Sequence, residues 1–156
     1  MKTIIPIDIV MLGEENSFHL FVSGFINGQN YDLLIDTGAS HTIFDASLIP
    51  EAPANEEETP EIQSAGINAS ELKTCIGHIK KFKLGELKYL DWTVVMIDLT
   101  QMNDLYGKFS NKRVAGLIGS DFLLKHKAII DYKKQELVLR NIKRRKGHSF
   151  HLPEKK

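Results

Sequence analysis

Disulfides are out of reach for this chain: its 156 residues include a single cysteine, Cys75. Such cysteine usage fits a reducing compartment, and the expected location is cytoplasmic. Cys75 has no histidine or acid motif around it that would make it a nucleophile, so it reads as a small strand residue. Net charge is missing as well. Lys plus Arg and Asp plus Glu both number 20, which gives no argument for nucleic acid as a partner. There is no phosphate loop and no aromatic–basic stripe. No apolar run approaches the length of a membrane span, so no membrane partner is expected. The apolar start, MKTIIPIDIV, is interrupted by Pro6 and Asp8 and lacks a small-residue cleavage site, which argues against a signal peptide. His148 and His151 stand three apart with no acid or cysteine cluster beside them. Neither a metal nor any other cofactor is expected.

What the chain does have is enough length for one domain with a real core, and an uneven distribution of charge. Residues 51–61, EAPANEEETPE, are acidic and Pro-rich and read as an exposed loop. Lys143 to Lys146, with Lys155 and Lys156, make a basic end. The expected organisation is a domain over residues 1–142 and a basic C-terminal tail over 143–156.

Strand signals dominate. Ile4 to Leu12 is apolar and β-branched. Phe18, Leu20 and Val22 alternate with His19, Phe21 and Ser23, Asn27-Gly28 punctuates, and Tyr31 to Ile35 resumes, which predicts a β-hairpin. Further turns are expected at Ala65-Gly66, Gly77-His78 and Gly85-Glu86, with Val94 to Leu99 the strongest strand of that region. Tyr89 and Trp92 read as core or interface residues. Short helical pieces are expected at FDASLIP (capped by Asp45 and ended by Pro50), at TQMNDLYGK (capped by Thr100 and closed by Gly107), and after Ser120. A closing hairpin, AIIDY then ELVLR, turns at Lys133-Lys134-Gln135. The fold class predicted is mainly β, a barrel or sandwich of short strands with few short helices.

One stretch raises a chemical question. In LLIDTGASHTIF, Leu33 to Phe44, an apolar strand delivers Asp36 to its end and then bends on Thr37, Gly38, Ala39 and Ser40. A carboxylate at such a place is costly unless it is held or used. Taken alone, Asp36 also fits a turn aspartate that bonds its own backbone. Farther on, GLIGSDFL repeats the plan: an apolar strand, a tight glycine turn, a polar residue and a return to apolar.

Leu33-Leu34-Ile35 followed by Asp36-Thr37-Gly38-Ala39-Ser40 resembles the active-site loop of the retropepsin-like aspartic proteases, and AGLIGSDFL, Ala115 to Leu123, resembles that family's second signature. The order and spacing of the pair suit a one-lobe protease, the extension Gly119-Ser120-Asp121-Phe122-Leu123 resembles that of bacterial members, and the resemblance runs from about Phe18 to Leu139. It implies a single-lobe acid-protease β-barrel and an aspartic endopeptidase, with Asp36 as the catalytic residue. It implies that Thr37, Gly38, Ala39 and Ser40 support the loop, and that Leu117, Ile118 and Gly119 form the strand passing beneath it. Ser64, Ala65, Gly66 and Ile67 sit where the family places its flap. Thr37 would bond across a twofold axis, Ala39 would leave room for a substrate backbone, and Ser40 would bind either the loop or the substrate. Asp121 is expected in the first turn of the short helix rather than as a second catalytic acid, and Asp131 in a hairpin.

Hydrolysis by carboxylates needs two of them, one to take a proton from water and one to donate toward the carbonyl oxygen. This chain has one Asp-Thr-Gly. The resemblance therefore implies a homodimer through the active-site loop, each chain giving its own Asp36, acting on an extended polypeptide with no cofactor. The basic tail would then lie free or at the dimer interface. The alternative is a catalytically silent peptide- or protein-binding module on the same fold.

Overall fold

The structure is a computed structural model and describes residues 1–13, 17–48 and 74–142. The expected flap at Ser64–Ile67, the acidic loop 51–61 and the tail 143–156 lie outside the described residues. In chain order the elements are β1 (Lys2–Pro6), β2 (Asp8–Leu12), β3 (Ser17–Ile26), β4 (Gln29–Ile35), β5 (Ile43–Asp45), β6 (Cys75–Leu84), β7 (Leu87–Ile97), α1 (Thr100–Phe109), β8 (Val114–Ile118), α2 (Ser120–Lys125), β9 (Ile129–Asp131) and β10 (Glu136–Arg140).

The alternating apolar pattern of β3 and β4 makes an antiparallel hairpin, and the two residues that turn it, Asn27 and Gly28, both have positive φ, 50° and 84°. A two-residue turn of that hand matches the twist of the strands it joins. Strands β3, β4, β8, β5, β7 and β6 follow one another by hydrogen bonding, and β3 returns to β6 through Phe25–Lys83 and Ile26–Phe82, which closes a six-stranded barrel. β2 extends the sheet from β3, and β1, β10 and β9 form a separate three-stranded sheet. β4 and β8 run parallel, in the register Leu33–Gly116, Leu34–Leu117 and Ile35–Ile118. The two segments that share a sequence plan are thus neighbours in the sheet.

Successive residues of a strand face opposite sides, so β4 feeds two cores. Leu33 and Ile35 pack with Phe44, Phe82, Ile118, Phe122 and the inner residues of β1 and β10. Tyr89 and Trp92 stack at 4.6 Å beside Phe82 and Phe122, partly buried against the core. Leu34 turns the other way and joins Phe21, Ile43, Val114 and Leu117 under Tyr106 of α1. Helix α1 is fixed there by side chains. The Asn103 amide exchanges two hydrogen bonds with the backbone of Val114, at 2.6 and 3.0 Å, as a neighbouring strand would. The buried Asp45 carboxylate accepts from Leu99 N–H at the start of the same helix. Among the described residues no helix is long and apolar enough to cross a membrane.

Several local expectations are corrected. Ile4 to Leu12 is two strands in different sheets, divided at the buried Ile7, whose N–H bonds Gln135 O. β6 runs unbroken through Gly77-His78; a Cβ at Gly77 would come 1.8 Å from the Met96 sulfur, so this glycine serves packing rather than a turn. Ile43–Asp45 is strand, and Asp45 closes a turn onto Ser47 instead of capping a helix; Pro50 lies outside the described residues. Thr100 and Ser120 are first helical residues, with Leu99 and Gly119 at the caps and no side-chain capping bond. α1 passes through Gly107 and ends at Phe109, capped by Ser110, whose N–H bonds Tyr106 O. The turn at Gly85 and the final hairpin stand where expected, Gly85 with φ 59° and Asp131 accepting Lys134 N–H.

Candidate active site

β4 carries the chain to Asp36 and stops. The Asp36 N–H bonds Ile118 O at 3.0 Å, so the parallel ladder with β8 continues one residue into the loop. The loop then folds on itself: Gly38 N–H donates to the Asp36 carboxylate at 3.0 Å and Ala39 N–H to Asp36 O at 3.2 Å. The bond from Gly38 is one that both readings of Asp36, catalytic acid and turn aspartate, call for. Asp36 is half-buried, Ala39 buried, and Thr37, Gly38 and Ser40 exposed. The Ser40 hydroxyl lies 3.1 Å from His41 Nδ1.

Beneath the loop, Leu117, Ile118 and Gly119 are all buried. Gly119 is required by close approach: a Cβ there would meet His41 C and O at 2.7 Å and Ala39 O at 2.9 Å. Ser120 binds the loop twice, its N–H to Ala39 O at 2.8 Å and its hydroxyl to Thr37 O at 2.7 Å. The structure therefore brings together Asp36, Thr37, Gly38, Ala39, Ile118 and Gly119.

A second tie was not foreseen. The buried Thr42 hydroxyl accepts Gly119 N–H at 3.0 Å and donates to the Asp121 carboxylate at 2.7 Å, while Thr42 N–H reaches the same oxygen at 2.9 Å. Asp121 sits in the first turn of α2, as expected, and its oxygen holds the far end of the Asp36 loop. It is thereby committed to the loop's backbone and to Thr42. The partners lie 79 residues apart in sequence, so no local pattern announces the tie.

The face of the barrel wall that Asp36 shares with Leu34 is bordered by α1. The Tyr106 phenol is pushed up to about 12, first by burial and then by the negative charge of Asp36. Tyr106 therefore stays protonated across any working pH and sits within the field of the Asp36 carboxylate. No group of three or more His, Cys, Asp or Glu with metal-binding geometry occurs among the described residues. Two shallow depressions, of about 300 Å³ beside Asp45 and Asn103 and about 380 Å³ beside Lys127 and Arg140, are not lined by Asp36.

A family profile described as aspartyl protease matches residues 22–122, which include β4, the Asp36 loop, β8 and the start of α2. No curated protein matches the chain. Among solved structures, the retroviral protease-like domain of Ddi1 from Leishmania major is similar over 85% of this chain and 91% of its own, at 19% identity and a TM-score of 0.50, a likeness of fold. A retropepsin-like aspartic protease from Rickettsia conorii aligns over 86% of this chain and 92% of its own, at 15% identity and a TM-score of 0.46. With the profile spanning well over half of its length and the single-lobe barrel built around the same two signatures, the chain belongs to the aspartyl protease family, in its retropepsin-like form.

Proposed function

We propose that the protein is an aspartic endopeptidase whose active species is a homodimer. Each chain contributes one Asp36, and the two carboxyls hold a water between them. Two carboxyls about 3 Å apart cannot both ionise, so the pair shares one proton and titrates as a unit. The ionised member draws a proton from the water as it attacks the peptide carbonyl, and the protonated member donates to the carbonyl oxygen. The gem-diol then collapses as the nitrogen takes a proton, and the C–N bond breaks. Neither metal nor covalent intermediate enters this scheme.

The observation that carries this reading is the seating of a single Asp-Thr-Gly loop on Gly119 and Ser120, with Asp36 half-buried just past the end of β4. The nearby Asp121 is engaged with Thr42, which favours a second chain as the source of the second acid. Thr37, exposed at the loop's tip, is placed to bond across the twofold axis. The substrate is an extended polypeptide whose main chain bonds to the loop and to the flap around Ser64–Ile67. The single cysteine favours a cytoplasmic setting, and the signatures favour a bacterial type.

The test is cleavage of an unbiased peptide mixture from about pH 4 to 7, read by mass spectrometry at high protein concentration. Cuts made by the wild type and lost in Asp36→Asn are the expected result. Cuts that persist in Asp36→Asn would refute the proposal, as would a wild type that is dimeric, binds peptides and cuts none.

A further inference from the structure

The strand opposite Asp36 carries a histidine that the chemistry above does not use. Strands β3 and β4 pair through Phe21–Leu34, and both side chains lie in the core under α1. That pairing ends at Phe21–Leu34; carried two residues further, back along β3 and forward past the end of β4, the same register and face put His19 opposite Asp36. Both nitrogens of its ring are held. Nδ1 lies 2.9 Å from the Tyr106 hydroxyl of α1, and Nε2 lies 2.8 Å from the Ser17 hydroxyl of β3. The Tyr106 ring meets the His19 ring edge to face at 5.4 Å and packs on Phe21 at 5.5 Å, which fixes the imidazole's orientation.

The two partners have a shared property. A hydroxyl can accept as well as donate. A neutral His19 accepts a hydrogen bond from one hydroxyl and donates one to the other, whereas a doubly protonated His19 donates to both oxygens and breaks neither bond. A carboxylate, which only accepts, would not offer both options. The other element packed against this strand is β2, whose residue opposite His19 is the apolar Val10. Lys112, with Asp8 of β2 and Asp32 of β4, forms an ion-pair group beside Phe21. The field of Asp36 is already felt at Tyr106, the hydroxyl partner of the same ring.

We propose that His19 is a positioning residue of the active site, held by Tyr106 and Ser17 opposite Asp36, where an imidazolium charge favours the ionised member of the carboxyl pair. The inference rests on the reading of Asp36 as the catalytic acid. A positive charge opposite the pair delays its second protonation, so activity extends to lower pH than an uncharged neighbour would allow.

The experiment is a pH–rate profile for wild type, His19→Gln and His19→Lys. In His19→Gln the acid limb is expected to move up by roughly half a pH unit, the size of one unit charge acting across a protein surface. His19→Lys, cationic throughout, is expected to keep the wild-type limb. A His19→Gln profile that superimposes on the wild type overturns the proposal, and so does an equal displacement in both variants, which would mark a structural role. The carbon-13 signal of the Asp36 carboxyl, followed over the same range in wild type and His19→Gln, gives an answer without turnover. The same displacement supports the proposal, and identical curves overturn it. Absence of cleavage by the wild type would count against the protease reading alone.

Discussion

Thr42→Val separates the hydroxyl of Thr42 from its shape. The side chain is 6% exposed, and its oxygen accepts the buried Gly119 N–H at 3.0 Å while donating to Asp121 at 2.7 Å. Valine fills the same space and removes both bonds. A buried N–H left without a partner costs about 1–3 kcal/mol. The lost bond to a charged acceptor adds about 1 kcal/mol after discounting for water, because Asp121 is exposed. The sum is about 3 kcal/mol, which for a chain of this size lowers Tm by roughly 6–12 °C. Thr42→Ser keeps the hydroxyl and loses one methyl, about 0.8 kcal/mol. Urea unfolding of the three proteins measures the difference. The loop that Thr42 anchors carries Asp36, so peptide cleavage should also drop about 100-fold in Thr42→Val, the effect of about 1 Å of misplacement at a reacting group. A Thr42→Val protein within about 0.5 kcal/mol of wild type would refute the role given to this hydroxyl.

Gly119→Ala should cost about 3 kcal/mol in urea unfolding and abolish cleavage, because its Cβ meets backbone atoms of His41 and Ala39 that cannot step aside. Gly107→Ala, in an open stretch of α1, should instead stabilise by about 1 kcal/mol, and a loss there would contradict the helix placement. His126 is buried between Tyr89 and the Arg140 carbonyl. Its ability to take a proton is held below the ordinary histidine value, chiefly by desolvation. The unfolded chain therefore binds that proton first, so stability is whole above about pH 6.5 and falls as pH drops toward and through the lowered folded-state value. Thermal unfolding of His126→Gln between pH 5 and about 8 should show a flatter slope than wild type, and an identical slope would remove His126 as the cause. Cleavage per chain should decline on dilution as dimers dissociate, and a cleaving species that sediments as a monomer would defeat the shared-dyad scheme.

The hairpin of β3 and β4, the strand at Val114–Ile118 and the seat of Asp36 at a strand end were all legible in the sequence, because alternation, an Asn-Gly turn and a glycine after an apolar run are local signals. The parts that were not legible depend on contacts made across the fold. Gly77 looked like punctuation, yet its lack of a side chain is explained by Met96 on the neighbouring strand. Thr42 and Asp121 stood in plain view without a pattern to connect them. Helix α1 was expected a little shorter than it is, since Gly107 suggested an end that the Asn103 and Tyr106 contacts override. His19 appeared only as the polar half of an alternating strand, and its place opposite Asp36 emerged from the pairing register.

The seating of the Asp36 loop also bears on the order in which the molecule acquires its parts. The hairpin that ends at Asp36 is local and can form early, whereas Ser120 and Thr37, which lock the loop, are 83 residues apart. Contacts of such sequence separation form slowly, and a parallel strand pair such as β4 with β8 is among the slowest to close. During synthesis, Asp36 leaves the ribosome well before the strand that supports it, and the intervening chain is a period in which the carboxylate has no seat. A nascent or half-folded chain thus carries the acid without its geometry, and the Asp36 loop gains its seat only once β8 and Ser120 have docked.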